Sequence, residues 1–151
     1  MKLILKICLY STIFSSSLVA AKGSPETFFQ KYIELGNQFD VNVSLLYSDT
    51  AKIHSYRVYP HGLEKTMELK GSQWKQLIEK VMPIAKAQND KSSFSNIIIT
   101  KVGLNFKIKA DRYSERKCYE DNGYYMIIEP NGNNSFHILE EYTETQPQSN
   151  C

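Results

Sequence analysis

Residues 28–53, FFQKYIELGNQFDVNVSLLYSDTAKI, change their hydrophobic pattern twice. Phe28, Tyr32, Leu35 and Phe39 recur at three- and four-residue steps, with Phe29 and Ile33 beside them, which is one wide apolar helix face. Just upstream, Ser24 is an N-cap, Pro25 suits the first helical position, and Glu26 and Thr27 fill the first turn. Gly36 and Asn37 loosen the end of this helix. Asp40 then caps a second, shorter helix carrying Val43, Leu46 and Tyr47, and Ser48, Asp49 and Thr50 break it. Beyond the break Ile53, Tyr56, Val58 and Tyr59 read as a strand.

Downstream, Pro60, His61 and Gly62 make a turn, and residues 63–69 return as a second strand. Gly71 ends it. Ser72 caps a third helix with Trp74, Leu77, Ile78, Val81 and Met82 on one face, and Pro83 either kinks that helix or begins a new turn. From Phe94 the pattern is strand to the end. Leu104, Phe106, Ile108 and Ala110 alternate with Asn105, Lys107, Lys109 and Asp111, a half-buried strand with one wet face. Residues 130–134, PNGNN, signal a hairpin between the last two strands. The expected order is α-α-β-β-α-β-β-β-β. Helices first and an antiparallel meander last point to an α+β class, with a curved sheet wrapped around the long first helix.

The chain has 151 residues, one domain's worth, and is 42% hydrophobic and 23% charged, a globular composition. It opens MKLILKICLYSTIFSSSLVAA: Lys2 and Lys6 ahead of a short apolar run, then the small residues a signal peptidase needs. Residues 1–21 are therefore expected to be a signal peptide, with an uncleaved anchor as the alternative, residues 22–142 the domain, and 143–151 a C-terminal tail. The expected location is periplasmic or secreted, with no stable membrane insertion after cleavage. Of the 18 basic residues, two leave with the leader, so sixteen stand against 16 acidic ones. A neutral chain has no global field to gather phosphates, and no nucleic-acid partner is expected. Cys8 leaves as well. Cys118 and Cys151 remain, an even number in an oxidising compartment. A bridge between them would close a loop worth roughly 3–4 kcal/mol in the chain-entropy model; two free thiols are the alternative.

The opening 28–53 segment, the glycine ahead of a tryptophan-bearing helix (Gly71, Trp74) and the closing FHILEEYTETQP resemble the nuclear transport factor 2-like, or SnoaL-like, superfamily over most of the mature chain. RYSERKCY (residues 112–119) with EEYTETQP is similar to a secreted bacterial subgroup of unknown activity. The resemblance implies a cone-shaped fold with a concave mouth and pairing through the outer sheet face, so a homodimer is expected. It is nearly mute about activity. In members similar to ketosteroid isomerase, a first-helix tyrosine donates into an oxyanion hole, and Tyr32 matches that place. Their general base falls on Ser55 here, which cannot accept a proton at pH 7. Their later acid is missing too, since residues 124–128 hold no Asp or Glu. Tyr32, Asp49, His54 and Glu140 remain the weak catalytic candidates, as His54 with Asp49 or Glu140 with Tyr32.

For a ligand pocket the candidates are Tyr32, Tyr47, Tyr56, Arg112, Tyr113, Tyr125 and Glu140. The tyrosines would give apolar walls with polar tips. Arg112 extends the even-numbered apolar face of its strand, so it must meet an anion or water at the rim. Glu140 extends the face of Phe136 and Ile138 in the same way. An Arg112–Glu140 ion pair is the plainest reading, with an anion-binding Arg112 the functional one. His54, His61 and His137 lack metal-ligand spacing, so neither metal nor cofactor is expected. The leading expectation is an exported, non-enzymatic protein binding a small, partly apolar ligand, anionic if Arg112 orients it. The alternatives are an isomerase- or dehydratase-like enzyme with a non-standard acid–base pair, or a dimerising interaction module.

Overall fold

The computed structural model describes residues 23–132, 134–149 and 151, so the signal-peptide expectation lies outside the described residues. The elements are α1 (Pro25–Asn37), a 3-10 helix (Val41–Leu46), β1 (Tyr47–Val58), β2 (Glu64–Lys70), α2 (Gly71–Gln88), β3 (Ser92–Val102), β4 (Asn105–Ser114), β5 (Tyr119–Asp121), β6 (Tyr125–Asn131) and β7 (Ser135–Thr145). The α+β class holds. The order differs from expectation in two places: the second helix is 3-10, and a three-residue strand, β5, precedes β6. Among the described residues the longest helix is α2, not α1.

One curved, open seven-stranded sheet carries the fold, in the order β2-β1-β7-β6-β4-β3, with β5 alongside β4. β1 and β7 run parallel, and the other pairs are antiparallel. The helices lie on one face. There Phe28 and Phe29 of α1 and Ile78 of α2 join Ile53, Ile108, Met126, Ile128 and Ile138 of the sheet in one core. Aromatic edges knit it together: Phe29 against Phe94 at 5.4 Å between ring centroids, and Phe28 against Phe136 at 5.8 Å.

α1 begins as its sequence dictates. The Ser24 hydroxyl accepts from the Thr27 amide (3.2 Å), and Thr27 Oγ1 accepts from the Ser24 amide (2.9 Å). That reciprocal cap contributes about 1 kcal/mol. α2 differs from expectation. Its cap residue is Lys70, Ser72 lies inside the first turn, and Pro83 sits within a helix that continues to Gln88. Gly71 is there because α2 presses on β1: a Cβ at this position would overlap the Ser48 carbonyl. Leu104 also departs from the expected alternation. It is 85% exposed, in the β3–β4 turn beside Gly103, and the buried face of β4 begins at Phe106.

One irregularity in β7 decides what faces the helices. Ile128 pairs with Ile138 and Ile127 with Glu140, which leaves Leu139 unmatched. This β-bulge shifts the alternation by one residue. Before it, Phe136 and Ile138 are buried on the helix side. After it, Glu141 takes the buried side, and Glu140 and Tyr142 turn to the outer face.

Candidate functional site

Between α1, α2 and the covered sheet face lies a cavity of about 350 Å³. Tyr32 and Ile33 from α1, Trp74 and Ile78 from α2, and Tyr47 and Ile53 from β1 form much of its wall. Arg112, Lys117 and Tyr119 stand at one end. Apolar walls with a few convergent polar groups are the usual make-up of a small-molecule site.

Behind the wall is a buried carboxylate, Glu141, only 1% exposed. It accepts three phenol hydrogen bonds: Tyr32 to Oε1 at 2.6 Å, Tyr124 to Oε1 at 3.0 Å and Tyr47 to Oε2 at 2.5 Å. A buried carboxylate is tolerable only when its lone pairs are satisfied, and here donors from α1, β1 and the residue just before β6 do that. The trio keeps its protons. Burial first, then the Glu141 charge, pushes the phenols of Tyr32 and Tyr47 well above the ordinary tyrosine range. Burial first, then Tyr32 and Glu141, does the same to Tyr124. The Trp74 indole Nε1 is shielded from solvent and makes no hydrogen bond, although it lies close enough to the Tyr47 hydroxyl to oppose that shift.

Arg112 faces the cavity, as its strand parity predicts. Its partner is not Glu140. Nε meets Oδ2 of the fully buried Asp121 at 3.3 Å, while Nη2 donates to the Tyr119 hydroxyl (3.3 Å) and the Glu144 carbonyl (3.0 Å). Burial opposes the Arg112 charge, but Tyr119 and Asp121 more than offset it, and its pKa rises. Asp121 is pushed up by burial, against the opposing pull of the Glu144 amide and Arg112. At the same end Lys117 pairs with Asp90 at 3.1 Å. The next residue, Cys118, is bonded to Cys151, and the Ser149 amide donates to the Lys117 carbonyl at 3.1 Å. The C-terminal segment is thus strapped beside the cavity end.

Of the sequence candidates, Tyr32, Tyr47 and Arg112 come together at the cavity. Tyr56, Tyr125 and Glu140 do not. They share a shallow outer-face pocket with His54, because the bulge at Leu139 reverses Glu140 and because the even-numbered residues His54 and Tyr56 of β1 point away from Ile53 and Ser55. There Tyr125 donates to Glu140 at 2.6 Å and stacks on Tyr142, while His54 lies 3.4 Å from Glu68 and 3.8 Å from Glu140. Burial, then Glu140, raises the Tyr125 phenol to about 12; burial, then Glu144, raises Tyr142 to about 12. The Glu64 carboxylate pushes Tyr56 up. Tyr113 is 38% exposed and does not line the cavity.

Neither proposed acid–base pair is assembled. Asp49 bonds Lys75 at 2.7 Å, which holds its carboxyl below the usual range, rather than His54. Glu140 and Tyr32 are on opposite faces of the sheet. Residues 124–128 indeed carry no acid, and the buried carboxylate of the later strands is Glu141 of β7. Glu141, Tyr124, Asp121 and Tyr119 were not singled out from the sequence. The available signal was the Glu140–Glu141 doublet: adjacent strand residues face opposite ways, so one of the two must turn inward. Among the described residues, no group of three or more His, Cys, Asp or Glu side chains is placed to hold a metal, and no helix is long and apolar enough to cross a membrane.

No protein-family profile matches the chain, and no curated protein matches it by sequence. Solved structures do. It is similar to a nuclear transport factor 2-like protein of unknown function from Shewanella oneidensis (TM-score 0.58, 11% identity, 80% of this chain and 95% of that one). It is similar to another of unknown function from Pseudomonas putida (TM-score 0.57, 10% identity, 79% and 82%). A ketosteroid isomerase-like protein from Parabacteroides distasonis is also similar (TM-score 0.54, 14% identity, 82% and 88%). These likenesses agree with the expectation from sequence: the chain has a nuclear transport factor 2-like fold.

Proposed function

We propose that the chain is an exported small-molecule-binding protein, and that its ligand has an apolar body held between Trp74, Ile78 and Ile53 with polar groups that meet Arg112 and the tyrosines around Glu141. The observation that carries this reading is the cavity itself, walled by aromatic and aliphatic side chains, with Arg112 and the tyrosines that hold Glu141 among its lining. Arg112 has five donors, and three acceptors hold it on its Nε and Nη2 side. Nη1 is left to meet an acceptor or anionic group on the ligand. Binding rather than catalysis is supported by the carboxylates. Glu141 has its lone pairs committed to three phenols and does not line the cavity, and Asp121 is committed to Arg112 and to the amides of Gly123 and Glu144. Neither is poised as a general base, which must lie within hydrogen-bond reach of the proton it takes. Export is supported by the leader composition and by a disulfide whose persistence requires an oxidising compartment.

Native mass spectrometry of the full chain recovered from an exporting bacterium, set beside its denatured mass, tests the reading. The expected result is a small-molecule adduct on the native protein that disappears on denaturation, with the denatured mass showing cleavage after Ala21 and the two-hydrogen deficit of the bridge. A bare native mass would count against a bound ligand.

A further inference from the structure

We propose that the cavity selects a ligand whose inner polar group donates a hydrogen bond, a hydroxyl or an ammonium, because Tyr32 and Tyr47 in its wall have already given their only protons to Glu141. The inference rests on the ligand-binding reading above and narrows it.

A phenol carries one donor and can otherwise only accept. Tyr32 and Tyr47 spend that donor at 2.6 and 2.5 Å on a carboxylate that itself can only accept. Their burial next to that charge keeps both protonated. What they can still offer to a neighbouring molecule is therefore lone pairs. This is the reverse of an oxyanion hole, which must present protons to a developing negative charge. A ketone or an ether entering here would give up its hydrogen bonds to water and find oxygen lone pairs instead.

The neighbouring groups agree. No Lys, Arg or His among the described residues pairs with Glu141, and Arg112, the guanidinium at the cavity, is bound to Asp121. A positive ligand group would thus meet a negative charge that three phenols hydrogen-bond but no cation pairs. Trp74 Nε1, the indole donor of the same wall, is sealed from solvent, so it presents no proton to a ligand beside the tyrosines.

Calorimetric titration of the full chain with four compact probes of one apolar body tests this. The probes are adamantylmethanol, adamantylmethylamine, the methyl ether of the alcohol, and adamantyl methyl ketone. The alcohol and the amine are expected to bind at least about tenfold more tightly than the ether and the ketone, the size of one hydrogen bond made or lost. In Glu141→Gln the amide can donate to a phenol oxygen and return that phenol's proton to the cavity, so the gap should narrow. Tyr32→Phe, which removes one acceptor from a partly exposed position, should narrow it without depending on how Glu141→Gln folds. Ether or ketone binding as tight as the alcohol would overturn the donor requirement while leaving ligand binding intact. Failure of all four probes to bind would overturn the ligand-binding reading and this inference with it.

Discussion

Glu140 and Glu141 are neighbours on one strand, each meets tyrosine hydroxyls, and their surroundings are opposite. Glu141 is sealed under the helices with three phenols around it. Glu140 sits on the outer face, partly exposed, with Tyr125 bonded to it and His54 nearby. The pair shows that side-chain chemistry alone does not make a site. Water screens the outer cluster and can replace any member of it. The inner cluster has no such substitute, so each of its groups depends on the others.

Deleting each carboxylate should expose that asymmetry most strongly. Glu141→Ala leaves three phenols without their acceptor and opens a void, and it should cost about 3–5 kcal/mol in urea unfolding. Glu140→Ala should cost under about 1 kcal/mol. Equal losses would break the comparison. The next effect concerns the strap at the cavity end. Cys118 and Cys151 are 33 residues apart, and Cys151→Ser should lose about 3 kcal/mol through the unfolded chain's regained freedom. It should also weaken ligand binding at the Lys117–Tyr119 end, measured by calorimetry. Smaller again are the hydroxyls. Tyr47→Phe should lose about 1–2 kcal/mol, and Tyr125→Phe about 0.5 kcal/mol or less.

A separate effect is alkaline. The phenols of Tyr125 and Tyr142 are raised in the fold to about 12, above the ordinary tyrosine value of about 10, and those of Tyr32, Tyr47 and Tyr124 are raised as well. Each raised tyrosine adds stability that is fully present below the unfolded value and lost as pH rises through the folded one. Unfolding free energy should therefore be flat up to about pH 10 and fall above it. Absorbance near the phenolate band should show the outer pair ionising near pH 12 before the buried trio, which should ionise only on unfolding. Simultaneous ionisation of all five would erase the distinction between the two faces.

Much of this was readable in advance where local rules dominate. The Ser24–Pro25 start of α1, the Asp40 cap, the inward side of Arg112 and the Cys118–Cys151 bridge all follow from residue types at fixed offsets or from cysteine arithmetic. The buried carboxylate did not. Its position depends on one unmatched residue, Leu139, and no turn residue or glycine marks that bulge. Extending the Phe136–Ile138 alternation without it sends Glu140 inward and Glu141 outward, the reverse of what folds. The Arg112 partner was missed for a related reason. Asp121 stands in a sequence that reads as a turn, Asp121-Asn122-Gly123, yet it closes a three-residue strand beside Arg112. Tyr124 is buried from just outside β6, where no period applies.

Trp74 is the chain's single tryptophan and lies in the cavity wall, so its fluorescence reports on this cavity alone. Titrating the chain with adamantylmethanol, which does not absorb in this range, should shift Trp74 emission along a saturable curve. A response that is absent, or that stays linear without saturating, would contradict the account of a ligand held between the helices and the sheet.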